Sequence, residues 1–436
     1  MKNSNSNSLF ARREKVVSNG VGIFVHTTVK SAHGAIIKDL DDNEYIDLGG
    51  GIGVLNAGHC PDEVVAAIKD QADKLIHSCF HVSTYEGYVE LCEKLVEILP
   101  HGKNTKAMLT NSGVESVENA VKIARQATKK EAVICFSDAF HGRTLMGMSL
   151  TSKVEYKKNC GPFAPEVYRL DYPNFYKKGK GLTESEFSKK EIKRLEEFIR
   201  SYVDIDEVAA IIIELVQGEG GFNIAPKEYI ERLRDFCDEH KVMLIFDEVQ
   251  TGFCRTGKWG AYEHYGVIPD LSTWAKSMGS GMPIGCVIGK TEVMDAAVPG
   301  TLGGTYLGNP ICCAASLATI KLMEDKNLNK RAEVVGKMFT DKFKEFAEFV
   351  PFIGDIRGLG AMVAVEFVMD SDGKEHNTEF CEVFVQKCLD KKVILLKAGK
   401  YKNIIRILSP LVISDSEINT SLQVMEESLK EIMKDN

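Results

Sequence analysis

The chain has 436 residues, 44% of them hydrophobic and 27% charged, proportions that exclude collagenous, low-complexity and wholly disordered chains. Its 54 basic and 62 acidic residues leave a net charge of −8, which argues against a coat for nucleic acid or another polyanion. The length suggests about two or three domains with a sizeable core.

Residues 1–13 are rich in Asn, Ser and Arg and carry no apolar stretch, so no secretory signal is expected there. No run reaches the roughly 18 apolar residues of a membrane span. The 12 cysteines include no C-x-x-C, and the 10 histidines show no metal spacing. Reduced thiols, a cytoplasmic location and no bound metal are expected.

Taken in chain order, strand and helix signals alternate. After Pro61, the residues Val64, Ile68, Ala72 and Leu75 share a helical face. Residues 107–109 read as a buried strand, followed by a helix that turns Val114, Val117, Val121 and Ala124 inward. Residues 132–136 form a second apolar strand, and 172–188 read as a polar, lysine-rich surface loop leading into a helix over 190–202. The run 208–213 (VAAIII) is the most apolar of all and stops at Glu214. A helix with Tyr229, Ile230, Leu233 and Cys237 on one face precedes strands at 242–246, 271–274 and 286–288. Fully apolar strands alternating with helices predict an α/β fold, a mostly parallel sheet flanked by helices. After about residue 330 the pattern changes to a smaller α+β unit, with strand signals in 355–367, 393–396 and 404–408. A last helix opens with Ser414-x-x-Glu417, a capping box, and carries Ile418, Leu422, Met425 and Leu429 inward.

Five places carry candidate chemistry. Lys276, flanked by Trp274, Ala275 and Met278, follows a strand and precedes a glycine-rich turn; partial desolvation would make it a Schiff-base amine, and a snorkelling surface lysine is the plain alternative. Asp247 ends the strand VMLIFD, where open α/β sheets bind ligands, and could hold a protonated ring nitrogen or simply cap a helix. Its neighbour Glu248 could support it. Ser112 and Gly113 form the turn between a strand and a helix with Glu115 and Glu118 in its first turn, a seat for phosphate or an ordinary N-cap. Phe140, His141 and Arg143 lie around Gly142, where an aromatic ring could stack on a planar group and an arginine could pair with a carboxylate. Thr305, in the turn LGGTYLGNP, offers a hydroxyl to phosphate. Together these are the parts that a pyridoxal phosphate enzyme requires: an aldehyde-binding amine, an acid for the ring nitrogen and a phosphate cradle.

At these residues the sequence resembles the class III aminotransferases of pyridoxal phosphate fold type I, and is most similar to 4-aminobutyrate aminotransferases. The resemblance spans 47–413, and its most specific stretches are TNSGVESVENAVKIAR, HGRT, VQGEGGF, DEVQTGFCRTG, the AKS lysine and GGTYLGNP. It implies a small domain built from 1–60 and 331–436 around a large cofactor-binding domain at 61–330. It implies that Lys276 forms the Schiff base, Asp247 pairs with the pyridinium, Gln250 bonds the ring hydroxyl and Phe140 stacks, with His141 beside them. Ser112 and Gly113 would hold the phosphate, with Thr305 reaching it from the other subunit of a homodimer, a tetramer of two such dimers being left open. Arg143 and Arg406 would clamp the distal and α-carboxylates, with Glu219 as a gate that neutralises Arg406. Departures are Phe140 in place of Tyr, Leu215 in place of Pro, and Ile52 where ornithine enzymes carry Tyr. The reaction implied is a ping-pong transfer from an ω-amino acid to 2-oxoglutarate. Lys177, Lys178 and Lys180, beside Tyr172, Phe175 and Tyr176, and Lys397, Lys400 and Lys402 leave a CoA-thioester amine open as substrate. An epimerase or racemase on the same scaffold is a further alternative.

Overall fold

The computed structural model describes residues 4–370 and 374–435, so the first three residues of the 1–13 segment lie outside the described residues. Two compact units divide the chain: Glu63–Ala332, and Met1–Asp62 together with Glu333–Asn436.

The unit Glu63–Ala332 is built on a seven-stranded sheet. Its strands run in the order Thr105–Thr110, Gly285–Lys290, Leu271–Trp274, Met243–Asp247, Val208–Ile213, Ala132–Phe136 and Val167–Leu170. Gly285–Lys290 is antiparallel to both neighbours, and the remaining pairs are parallel. Every residue of Val208–Ile213 and of Ala132–Phe136 is buried, as expected for strands covered on both faces. The helix Gly113–Thr128 lays Val117, Ala120, Val121 and Ala124 on a core shared with Ala210, Ile212, Ile245, Leu271 and Val287. It stops at Lys129, which takes the left-handed conformation common at helix C-termini.

This sheet sets the site's address. Five strands end, in sequence, just before Asn111-Ser112, Ser137, Glu214, Glu248 and Ala275-Lys276. The parallel strands among them therefore release their following residues at one edge of the sheet, the carboxyl edge where α/β folds bind ligands.

The segment 172–188 differs from the surface loop its composition predicts. Tyr172 is buried, and its hydroxyl donates to the Glu214 carbonyl at 2.9 Å. Helix Phe175–Lys178 follows, and the long helix already begins at Glu184, running to Tyr202. Thr183 and Glu186 form a capping box that fixes this start. The lysine-rich composition hid a good helix start.

In the second unit, Ser31–His33, Ile36–Lys38 and Glu44–Asp47 form an antiparallel sheet that Val393–Ile394 joins in parallel. That pairing fastens the N-terminal segment to the C-terminal one. A separate antiparallel sheet runs Ile353–Leu359, Met362–Phe367, Ile404–Ile407, Leu396–Ala398. Helix Asp415–Asp435 opens with the capping box, Glu417 accepting from the Ser414 backbone N–H at 2.7 Å.

Ile212 is fully buried in the central parallel strands. Ile212→Ala should lower the unfolding free energy by about 2–5 kcal/mol, through lost burial and the cavity left behind. A shift in urea midpoint checks this, and a loss under about 1 kcal/mol would mean that the core collapses to fill the gap.

Candidate active site

Asp247 is the last residue of its strand, and its carboxyl is buried. A buried carboxylate is costly unless hydrogen-bonded, and this one is held from three directions. His141 Nδ1 lies 2.6 Å from one oxygen; the Thr273 hydroxyl and the Val249 backbone N–H donate to the other, each at 3.1 Å.

The loop that brings His141 depends on Gly142, which has φ +121°. A Cβ at Gly142 would stand 2.1 Å from Val114, so only glycine lets the loop lie against the first turn of helix Gly113–Thr128. The His141 backbone N–H donates to Thr151 Oγ1 at 3.0 Å, and that hydroxyl donates to the Gly142 carbonyl at 3.1 Å. The Phe140 N–H donates to Glu214 at 3.0 Å, and the Gly218 N–H donates to the other oxygen of the same carboxyl at 3.0 Å. Glu214 thus ties the aromatic loop to the turn that carries Glu219. Burial pushes its carboxyl up to about 7, against the lowering influence of His141.

Lys276 follows Trp274-Ala275, is half-buried, and has φ +49°, a conformation rarely adopted by residues other than glycine. Trp274 is core: its indole N–H donates to Ser272 Oγ at 2.6 Å, and its ring meets Phe253 and Tyr262 edge-on. Ser112 caps its helix, its hydroxyl accepting from Glu115 N–H at 3.3 Å. Gly113 is pressed against Val249, which a Cβ would meet at 2.8 Å. Glu248 is structural: buried, it accepts from the backbone N–H groups of Ala261 and Tyr262 at 3.0 and 2.8 Å and from the Thr251 hydroxyl.

Around the rim, the Arg143 guanidinium is exposed and lies 4.6 Å over the Tyr156 ring. The Tyr156 hydroxyl donates to Glu219 at 3.2 Å. Thr305 is exposed on its turn. Ile52 and Arg406 belong to the other unit. Ile52 is half-buried with φ +65°, and Arg406 is buried on strand Ile404–Ile407. Among the described residues no cluster of His, Cys, Asp or Glu could hold a metal ion.

A family model for aminotransferase class-III matches residues 17–429. The chain belongs to the class-III aminotransferase family. It is 46% identical to a probable 4-aminobutyrate aminotransferase of Bacillus subtilis, over 96% of each chain. It is 42% identical to the 5-aminovalerate aminotransferase DavT of Pseudomonas aeruginosa, over 98% of each chain. Among solved structures, a Bacillus anthracis aminotransferase superposes with TM-score 0.90 at 29% identity, covering 99% of this chain and 100% of that one. The ornithine aminotransferase of Toxoplasma gondii, described with partial occupancy of pyridoxal phosphate at its active site, gives TM-score 0.86 at 30% identity, covering 99% of this chain and 97% of that one. The class-III enzyme described here is thus a pyridoxal phosphate-dependent transaminase of fold type I.

The residues present suit that cofactor. Among the described residues, His141 Nε2 and Gln250 Oε1 are buried with no hydrogen-bond partner, and the Asp247 carboxylate lies 2.6 Å from His141 Nδ1. Such orphaned polar atoms in a native site call for a polar group to meet them. Sequence reasoning missed Glu214, Thr151, Thr273 and Tyr156. Glu214 carried the same signal as Asp247, an acid at the end of an apolar strand; Tyr156 carried none.

Burial also pushes Glu248 up to about 7. A carboxyl raised in the folded state favours folding at low pH, and that stability is lost as pH rises from about 4.5 through about 7. Glu248→Gln should therefore narrow the stability gap between pH 5 and pH 8 by roughly 1–3 kcal/mol, read from urea unfolding at the two pH values.

Proposed function

We propose that this transaminase takes the amino group from an ω-amino carboxylic acid, 4-aminobutyrate or its homologue, and passes it to 2-oxoglutarate in a ping-pong cycle. The observation that carries this substrate class is Arg143, an exposed guanidinium held on aromatic faces at the rim of the Asp247 site. An ω-amino acid with its amine at Lys276 presents a carboxylate at its far end, and a fork of guanidinium N–H donors suits it. The names of the relatives, 4-aminobutyrate and 5-aminovalerate aminotransferases, support the same class.

Pyridoxal phosphate, when bound, supplies the electron sink that makes the substrate's amine-bearing carbon acidic. Lys276 would hold it through Nζ, and the same nitrogen would take the proton from the substrate carbon. Asp247, whose carboxylate is fixed as an acceptor by His141, Thr273 and Val249, would keep a proton on the ring nitrogen. Phe140 would cover one ring face, Gln250 would meet the ring hydroxyl, and the N-terminus of helix Gly113–Thr128, capped by Ser112, would receive the phosphate. Thr305, on an exposed turn, would complete the phosphate seat of a second copy of the chain, and the working form would then be a homodimer. Arg406 takes the α-carboxylate of glutamate or 2-oxoglutarate, and Glu219 neutralises it while a donor lacking that group is bound. Leaving Arg406 buried and unneutralised would cost several kcal/mol.

Lys178 is paired with Asp171 at 2.8 Å and Lys397 with Glu382 at 3.2 Å, which favours a free amino acid over a CoA-linked one. Twelve free cysteines fit work in a reducing cytoplasm. Among the described residues no helix is long and apolar enough to cross a membrane.

Lys276→Ala should abolish the visible absorbance of the lysine-bound cofactor and nearly all turnover; wild-type activity in this variant would refute the assignment. Arg406→Ala should raise the 2-oxoglutarate KM by about 100-fold and change the 4-aminobutyrate half-reaction far less. Equal damage to both half-reactions, measured by stopped flow, would remove the clamp and gate.

A further inference from the structure

Thr305 is exposed on a run of turns whose far end is held by another part of the chain. Within 304–309 the Leu307 N–H donates to the Gly304 carbonyl at 3.4 Å, and the Asn309 N–H donates to the Tyr306 carbonyl at 3.1 Å. Gly308 is buried and has φ +62°, and a Cβ there would stand 2.3 Å from the Tyr88 ring. Its carbonyl accepts from the Tyr85 hydroxyl at 2.6 Å and from the Cys313 thiol at 3.2 Å. Asn309 then caps helix Pro310–Asp325, and its side-chain amide donates to the Ile76 carbonyl at 2.9 Å.

A thiol is a weak donor, so the phenol supplies most of the hold on Gly308. Burial pushes the Tyr85 hydroxyl up to about 12, which keeps its proton on and keeps it a donor. The Tyr85 ring meets Phe80 edge-on with centroids 5.3 Å apart, and Phe80 stacks on Tyr88 at 3.7 Å. Tyr88 in turn accepts from the Leu109 N–H at 3.0 Å, on the strand that runs into Ser112. One aromatic cluster therefore touches both the turn of Thr305 and the strand before Ser112. Linked turns pass a displacement along a short chain, so losing the bond at Gly308 would loosen Thr305 three residues away. A hydroxyl binds phosphate best when it is already in place, because ordering it afterwards costs entropy.

We propose that Tyr85 is a positioning residue for the cofactor phosphate: by holding the Gly308 carbonyl it fixes the turn that presents the Thr305 hydroxyl. This role rests on Thr305 completing the phosphate seat of a second copy of the chain.

The test compares pyridoxal phosphate with pyridoxal, which has the same aldehyde and ring but no phosphate. The Kd of the full-length enzyme for each is read from the visible absorbance of the lysine-bound ring. Tyr85→Phe keeps the ring against Phe80 and removes only the hydroxyl. It should raise the Kd for pyridoxal phosphate about tenfold and leave that for pyridoxal within about twofold. In the Thr305→Ala background the same substitution should cost less than about threefold, because no hydroxyl is left to position. An equal loss for both ligands, an equal loss in both backgrounds, or an unchanged Kd for pyridoxal phosphate would overturn the positioning role. Thr305→Ala separates the two ideas. If it leaves pyridoxal phosphate binding unchanged, the seat reading itself has failed; if it weakens binding and Tyr85→Phe does not, only the role of Tyr85 falls.

Discussion

One buried carboxylate organises the site. Asp247 sits at the end of a strand inside the protein, where an unsupported charge could not persist. Contacts from His141, Thr273 and Val249 fix it as an acceptor, and each contact commits a different piece of chain. Thr273 belongs to the adjacent parallel strand, which leads directly into Lys276. His141 arrives on a loop that only a glycine lets approach the helix of Ser112 and Gly113. The acid, the amine and the helix N-terminus are therefore placed by one network and cannot be positioned independently.

Two other buried carboxyls surround that network with a different task. Glu214 and Glu248 spend their oxygens on backbone N–H groups, and burial pushes both up to about 7. Glu214 fixes where the loop of Phe140 begins and where the turn of Glu219 begins. Rim chemistry is thus anchored to the sheet through a carboxyl that need not touch a substrate. At the rim, Tyr156 meets Arg143 on its ring face and donates to Glu219 through its hydroxyl.

Much of this was legible in the residues. Strands such as Val208–Ile213 and helices such as Gly113–Thr128 announce themselves because burial on two faces or one demands a simple apolar pattern. Asp247 and Lys276 stood out because a charged residue after an apolar strand is costly without a purpose. The same logic applies to Glu214, an acid that ends the apolar run 208–213 directly before the VQGEGGF turn of Glu219. The segment 172–188 misled because lysines mask helix starts, although Thr183-x-x-Glu186 marks one. Tyr156 was invisible: its importance comes from three neighbours distant in the chain, and no local pattern encodes them.

The sequence by itself determined the alternation of strands and helices, the family, the cofactor, and which acid and which lysine stand at strand ends. These follow from local periodicity and from residue chemistry that a short window of chain already contains. Tertiary structure alone decided that His141 and Thr273 share the Asp247 carboxylate, that Glu214 joins two loops, and that one tyrosine meets Arg143 on its ring face and Glu219 at its hydroxyl. Hydrogen bonds and charge contacts act over a few ångströms of space, so they exist only once folding has brought together residues that the sequence holds far apart.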